Sequence, residues 1–200
     1  MISFFQEFFL YILKSMWFLL PAYIANSTPV LVYKLPVLNV PVDFNRKLNG
    51  KPIFGTHKTW RGLVFGILFG MIITYLQAIL YQNFEFIKKI SIYDYENAFL
   101  FGFLMSFGAL FGDLVKSFFK RRVGIREGKD WPIFDQIDFI VGALVFTLPY
   151  FEKSFIFIFS CFFISIVLHI FTNLYLKPLF MQEKNSKKAK IRYKKTYFVF

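Results

Sequence analysis

Cysteine is almost missing from this chain: Cys161 stands alone among 200 residues, which excludes an internal disulfide, and its apolar surroundings mark it as a small hydrophobe. Charge is scarce too, at 18% of residues, and acid is the scarcer sign, with 12 Asp and Glu against 24 Lys and Arg. Such a chain is too poor in charge for a soluble domain of this size. What fills it is apolar: 56% hydrophobic residues, 31 Phe and a mean hydropathy of +0.51, the composition of an integral membrane protein. A P-loop is also lacking. Gly50 and Gly55 have the right separation, but Thr56-His57 follows where Lys-Thr belongs, and no strand is expected before it. No signal-peptide cleavage pattern follows the first apolar stretch, so that stretch is expected to remain as a span.

Five stretches are long and apolar enough to cross a bilayer, about 8–25, 62–81, 97–115, 136–151 and 154–176. The first contains Pro21, expected to kink it, and Lys14, whose stem can snorkel. The fourth is short and carries Asp138, so its end is expected to be buried in protein or wet. Lys and Arg concentrate in three connections: six in 26–61, six in 116–134 and eight from Lys177 onward. The positive-inside rule then puts the amino terminus outside and the three basic segments, with the carboxyl terminus, in the cytoplasm. The net charge of +12 reads as topology and attraction to anionic lipid, not as nucleic-acid binding. An all-α membrane domain over 1–180 and a basic cytoplasmic tail over 181–200 are expected, with cytoplasmic loops forming the site. The oligomeric state is not readable.

The segment Gly112–Asp138 carries the chemistry. It holds five acids (Asp113, Glu127, Asp130, Asp135, Asp138) and six bases (Lys116, Lys120, Arg121, Arg122, Arg126, Lys129) between apolar runs. On a helix Asp113, Lys116, Ser117 and Lys120 share a face, and Asp135 and Asp138 lie one turn apart. Carboxylates on two helix ends, with Lys and Arg between them, suit a hard cation such as Mg²⁺ and a polyphosphate. An ionisable residue at the edge of hydrocarbon, as Asp138 is, points to function. The bland alternative is headgroup-level salt bridging. A second cluster, Gly55 to Gly62, opens the second span: Thr59 can cap that helix, and Lys58 and Arg61, one turn apart, can meet an anion there. His57 reads equally as a solvated loop histidine. Gly66 and Gly70 would let the second span approach a neighbour closely.

These motifs resemble a family. Gly112-Asp113, Ser117, Lys120-Arg121, Arg126-Glu127 and Asp135 with Asp138 resemble the signature of phosphatidate cytidylyltransferases. The departures, Arg126-Glu127 for Lys-Asp and Asp135-Gln136-Ile137-Asp138 for Asp-Arg-x-Asp, point to the related CDP-archaeol synthases and their bacterial relatives. That branch resembles this chain in Pro21 to Asn26, Pro41-Val42-Asp43, Lys58 to Gly62, Ser117 to Arg122 and Asp135-Gln136-x-Asp138. The resemblance implies transfer of a cytidylyl group from CTP to a lipid phosphate in the membrane, with Mg²⁺. It implies Asp113, Asp135 and Asp138 as metal ligands, Asp135 and Asp138 also acting with Lys120 and Arg121 in catalysis. Lys58, Thr59, Arg61, Ser117, Arg122 and Arg126 are implied on the nucleotide or lipid phosphate, with Lys129 a further candidate. Glu127 and Asp130 either support a metal or neutralise cations. A CDP-alcohol phosphotransferase lacks its Asp-Gly-x-x-Ala-Arg pattern here. A transporter or channel with an intramembrane carboxylate site is the other alternative, although the ionisable residues gather at one side and His169 is isolated. A purely structural membrane subunit would leave the paired aspartates unexplained.

Overall fold

The computed structural model describes residues 2–129, 131, 134–151 and 154–171. Asp130, Lys153 and the basic tail lie outside the described residues. Six helices follow in order: α1 (Ile2–Leu31), α2 (Trp60–Asn83), α3 (Glu85–Ile90), α4 (Ala98–Arg122), α5 (Phe134–Phe146) and α6 (Phe155–Phe171). Between α1 and α2 lies a small antiparallel ribbon, β1 (Lys47–Leu48) and β2 (Lys51–Pro52), turned by Asn49-Gly50 with both residues at positive φ. The all-α expectation therefore has one short exception. Two compact units result. One runs from Met1 to Ile164 and holds every contact described below; the other begins at Ser165, where the last turns of α6 are described.

Three described helices are long and apolar enough to cross a membrane: Phe5–Leu31, Trp60–Asn83 and Ala98–Arg122. Each extends beyond the span expected from hydropathy, because the helices continue through polar residues at their ends. Thr59 caps α2 by accepting the Gly62 N–H at 3.3 Å, and Asn97 caps α4 by accepting the Leu100 N–H at 3.1 Å. Lys120, Arg121 and Arg122 occupy the last turn of α4, where cations favour the helix dipole. At 13 residues, α5 is only about 20 Å long, short of a bilayer's hydrocarbon thickness.

α1 runs unbroken through Pro21 and Pro29. Proline 21 cannot donate to the Trp17 carbonyl, and the side chain of Gln77 on α2 takes that acceptor instead at 2.6 Å. The same face of α1 meets a small-residue row on α2. A Cβ at Gly62 would stand 2.9 Å from Pro29 Cβ, and one at Gly66 would stand 2.9 Å from the Ala25 carbonyl oxygen. The core behind these contacts is aromatic: Phe18 meets Phe101, Phe151 and Phe157 edge-on at 5.3 to 5.5 Å between centroids.

The contact that builds the site is between α4 and α5. A Cβ at Gly108 would lie 2.6 Å from the Gly142 carbonyl oxygen, one at Gly112 would collide with the Asp138 carbonyl, and one at Gly142 with the Gly108 carbonyl. Only glycine lets the two backbones touch along this seam. Gly142→Ala is expected to destabilise the protein by about 1–3 kcal/mol through overpacking, read as a lower unfolding midpoint in detergent together with lost activity. An unchanged midpoint and full activity would contradict so tight a seam.

Candidate active site

Because Gly112 lies against Asp138, the next residue, Asp113, comes beside the first turn of α5. Asp113, Lys116 and Lys120 then project from one face of α4 toward Asp135 and Asp138. Lys116 is the hub. Its Nζ lies 3.0 Å from Asp113 Oδ1, 3.1 Å from Asp135 Oδ1 and 2.6 Å from Asp138 Oδ2. Lys120 Nζ pairs with both oxygens of Asp135 at 3.1 and 3.2 Å and donates to the Lys129 carbonyl at 2.6 Å. Lys58, from the loop before α2, pairs with Asp113 Oδ2. Three carboxylates thus face three ammonium groups, and the formal charges cancel. Such balance is what permits charge at this depth, because an uncompensated buried ion costs several kcal/mol. Asp138 is the most enclosed of the three, with 6% of its side chain exposed, and pairing with Lys116 is its compensation.

The long connection 32–59 is folded to deliver Lys58. Val42 N–H donates to the Lys58 carbonyl at 2.7 Å and Trp60 N–H to the Val40 carbonyl at 2.9 Å, so the chain entering α2 is pinned on both sides of Lys58. Asp43 is buried and accepts the N–H groups of Asn45, Phe54 and Gly55 at 2.9 to 3.2 Å, organising the turn before it. From the other side Glu127 accepts the Thr56 N–H at 3.2 Å and hydroxyl at 2.8 Å, and lies 3.6 Å from His57 Nε2. Glu127 is therefore a clip between loops. His57 itself is 76% exposed in its side chain, in keeping with a loop histidine.

Other expected site residues have different company. Arg61 is buried with its guanidinium on the Leu35 carbonyl, and Arg122 bonds the carbonyls of Leu48, Lys51 and Pro52. Both fasten loop to helix, which fixes the backbone before α2 and occupies the side chains expected on phosphate. Thr59 likewise spends its hydroxyl on the cap of α2. Ser117 and Arg121 are buried on α4, and the Arg121 Nε has no hydrogen-bond partner. Arg126 and Lys129 are exposed on the connection to α5, and Arg126 forms no ion pair among the described residues.

Two cavities flank the charged cluster. One, of about 740 Å³, is polar and is lined by Asn26, Tyr33, Asn39, His57, Lys58 and Asp113. The other, of about 580 Å³, is walled by apolar side chains including Val115, Phe119, Phe134 and Val141, with Lys116 and Asp138 at its charged edge. A water-soluble anion can therefore reach the cluster at Asp113 and an apolar chain at Asp138, two carboxylates joined through Lys116.

The family model for CarS-like CDP-archaeol synthases matches residues 8–184. The chain belongs to the CDP-archaeol synthase family. A CDP-archaeol synthase of Thermococcus onnurineus is 42% identical over 139 residues, which are 69% of this chain and 75% of that protein. One from Methanocaldococcus jannaschii is 36% identical over 141 residues, 70% of this chain and 77% of that protein. A solved intramembrane enzyme of archaeal membrane lipids biosynthesis superposes with a TM-score of 0.69 at 30% identity, covering 82% of this chain and 94% of that one. With three membrane-crossing helices of its own, this member of the CDP-archaeol synthase family is an integral membrane protein.

Sequence reasoning grouped Lys116 with the right face but gave it no role. Its signal was spacing: it is three residues after Asp113 and four before Lys120, so it must lie between them. Asp43 carried no signal beyond its place in a family motif, since a buried turn-former and a solvated loop acid look alike in sequence. Asp43→Ala is expected to leave three backbone N–H groups without their acceptor, cost about 1–3 kcal/mol, and expose the bonds after Arg46 and Lys47 to trypsin. Unchanged digestion and activity would show that the loop holds Lys58 by other means.

Proposed function

We propose that this chain joins CTP to a lipid phosphate at the Asp113, Asp135 and Asp138 cluster, giving a CDP-lipid and pyrophosphate. The observation that carries the reading is the position of that cluster between a polar cavity and an apolar groove. CTP enters the polar side, where Lys58 and the backbone at the start of α2 favour phosphate. The lipid enters sideways, with its chains in the groove and its phosphate beside Lys116 and Asp138. Given the names of the relatives, an isoprenoid glycerol ether phosphate is the favoured acceptor. The basic ends of the helices lie at the cytoplasmic face of the cell membrane, in line with the cation distribution.

A lipid phosphate oxygen attacks the α-phosphorus of CTP, the bond from that phosphorus to the bridging oxygen breaks, and pyrophosphate departs with the electron pair. A phosphate monoester has a second pKa near about 6 and is largely dianionic at neutral pH, so no general base is required. His57, exposed and clipped to Glu127, needs no proton-transfer role. What the chain must supply is relief of repulsion between a dianion and a triphosphate, and their alignment. Lys58, Lys116 and Lys120 bring three cations to the carboxylate cluster, and Arg121 adds a buried guanidinium on α4.

The donor set fits Mg²⁺ in kind: three hard carboxylates from two helices converge on a single cationic centre, Lys116 Nζ. As they stand among the described residues, no three acidic side chains are close enough to close around an ion. Asp113, Asp135 and Asp138 would hold it, and when bound it would neutralise phosphate charge as a Lewis acid.

The test is CDP-lipid formation from radiolabelled CTP by purified protein in detergent, offered the isoprenoid ether phosphate and phosphatidate separately. Product is expected with the ether phosphate, to vanish with EDTA and return with Mg²⁺, and to fall by about 100-fold or more in Asp138→Asn. No product with either lipid from folded protein, or full activity in Asp138→Asn, would overturn the reading.

A further inference from the structure

Lys116 sits where an ion bound by these carboxylates would sit. Its ammonium touches one oxygen from each of three carboxylates, at 2.6 to 3.1 Å. Magnesium binds oxygen at about 2.0–2.1 Å, so the same carboxylates must close in to hold one. Among the described residues no three metal-ligating side chains are placed to hold an ion, in keeping with Lys116 standing between these three. An ammonium and a dication cannot occupy adjoining positions in so poorly solvated a site without strong repulsion. The charge count leads to the same exclusion. Lys58, Lys116 and Lys120 already neutralise the three acids, so an added dication leaves a buried surplus unless a lysine withdraws or an anion arrives. Lys116 has somewhere to go: it also lines the apolar groove beside Asp138, and its four-carbon stem can carry the ammonium to the mouth of that groove.

We propose that Lys116 is the resident counter-ion of the carboxylate triad, that a divalent cation enters only by displacing it, and that the displaced ammonium turns to a phosphate brought by substrate. This rests on the reading that the triad takes a divalent cation. Lys58 and Lys120 are less suited to the part, because each is paired with a single carboxylate and Lys120 is further held by the Lys129 carbonyl. The consequence is thermodynamic coupling. Metal binds weakly to the free protein, since it must evict a cation, and strongly once phosphates can receive that cation; by linkage, metal strengthens nucleotide binding by the same factor.

Binding of Mn²⁺ to the full-length protein in detergent, followed by electron paramagnetic resonance, tests this without turnover. In the absence of nucleotide, Lys116→Met is expected to bind Mn²⁺ at least about tenfold more tightly than wild type, with Lys116→Arg staying weak; adding CTP should tighten wild type and narrow the gap. Lys116→Met removes a buried counter-ion and is expected to melt at a lower temperature without metal, so its midpoint should rise more with Mn²⁺ than that of wild type. Wild-type protein that binds Mn²⁺ with CTP, beside a Lys116→Met that gains neither affinity nor metal-dependent stability, would overturn the displacement alone. Absence of Mn²⁺ binding in every variant, with and without CTP, would overturn the metal reading and this inference together.

Discussion

Backbone contact between α4 and α5 is the constraint on which the rest depends. Gly108, Gly112 and Gly142 let the two backbones touch along that seam, and the Asp138 carbonyl lies against Gly112 as a result. Helices kept at ordinary separation by larger residues would hold Asp113 and Lys116 out of reach of Asp135 and Asp138. The stiffness of the seam also fixes geometry, because two backbones in contact cannot slide without collision. A short α5 follows from the same arrangement. Its apolar length stops at Phe146, and its first turn is given over to the carboxylates.

Around that seam, the protein solves an electrostatic problem by balance. Three acids are admitted beneath the helix ends because three lysines meet them, and two of those lysines are themselves steered by loop backbone: Lys58 by the Val42 and Trp60 hydrogen bonds, Lys120 by the Lys129 carbonyl. The surrounding loops are tied to helix ends by Arg61 and Arg122 and to each other by Glu127, and Asp43 orders the turn between them. Charged residues that look alike in composition thus divide into a charge-balanced cluster and a scaffold. Reaction between a soluble nucleotide and a lipid requires such a division, since the charged centre must be reachable from water and from the bilayer while remaining rigid.

Much of this was legible in the sequence. Hydropathy marked the long helices, and helical spacing put Asp113, Lys116 and Lys120 on one face and Asp135 and Asp138 on another. The small residues Gly66 and Gly70 announced a close approach in α2. Arg61 and Arg122 were harder to place, because a guanidinium that binds a backbone carbonyl and one that binds phosphate follow the same sequence rules. The α4–α5 seam was hidden for a similar reason: three glycines in two apolar runs do not say that they face each other. Glu127 could be read as supporting a metal or neutralising cations but not as a clip, since its partners, Thr56 and His57, are about 70 positions away in the chain. Long-range pairing is what local pattern omits.

In the proposed function these carboxylates, flanked by a polar cavity and an apolar groove, are the reaction centre. Anomalous scattering from Mn²⁺ in crystals grown with CTP tests it most directly. The account predicts a metal peak between Asp113, Asp135 and Asp138, with the triphosphate running from it into the cavity beside Lys58. A nucleotide bound elsewhere, or a metal peak remote from all three carboxylates, would contradict it.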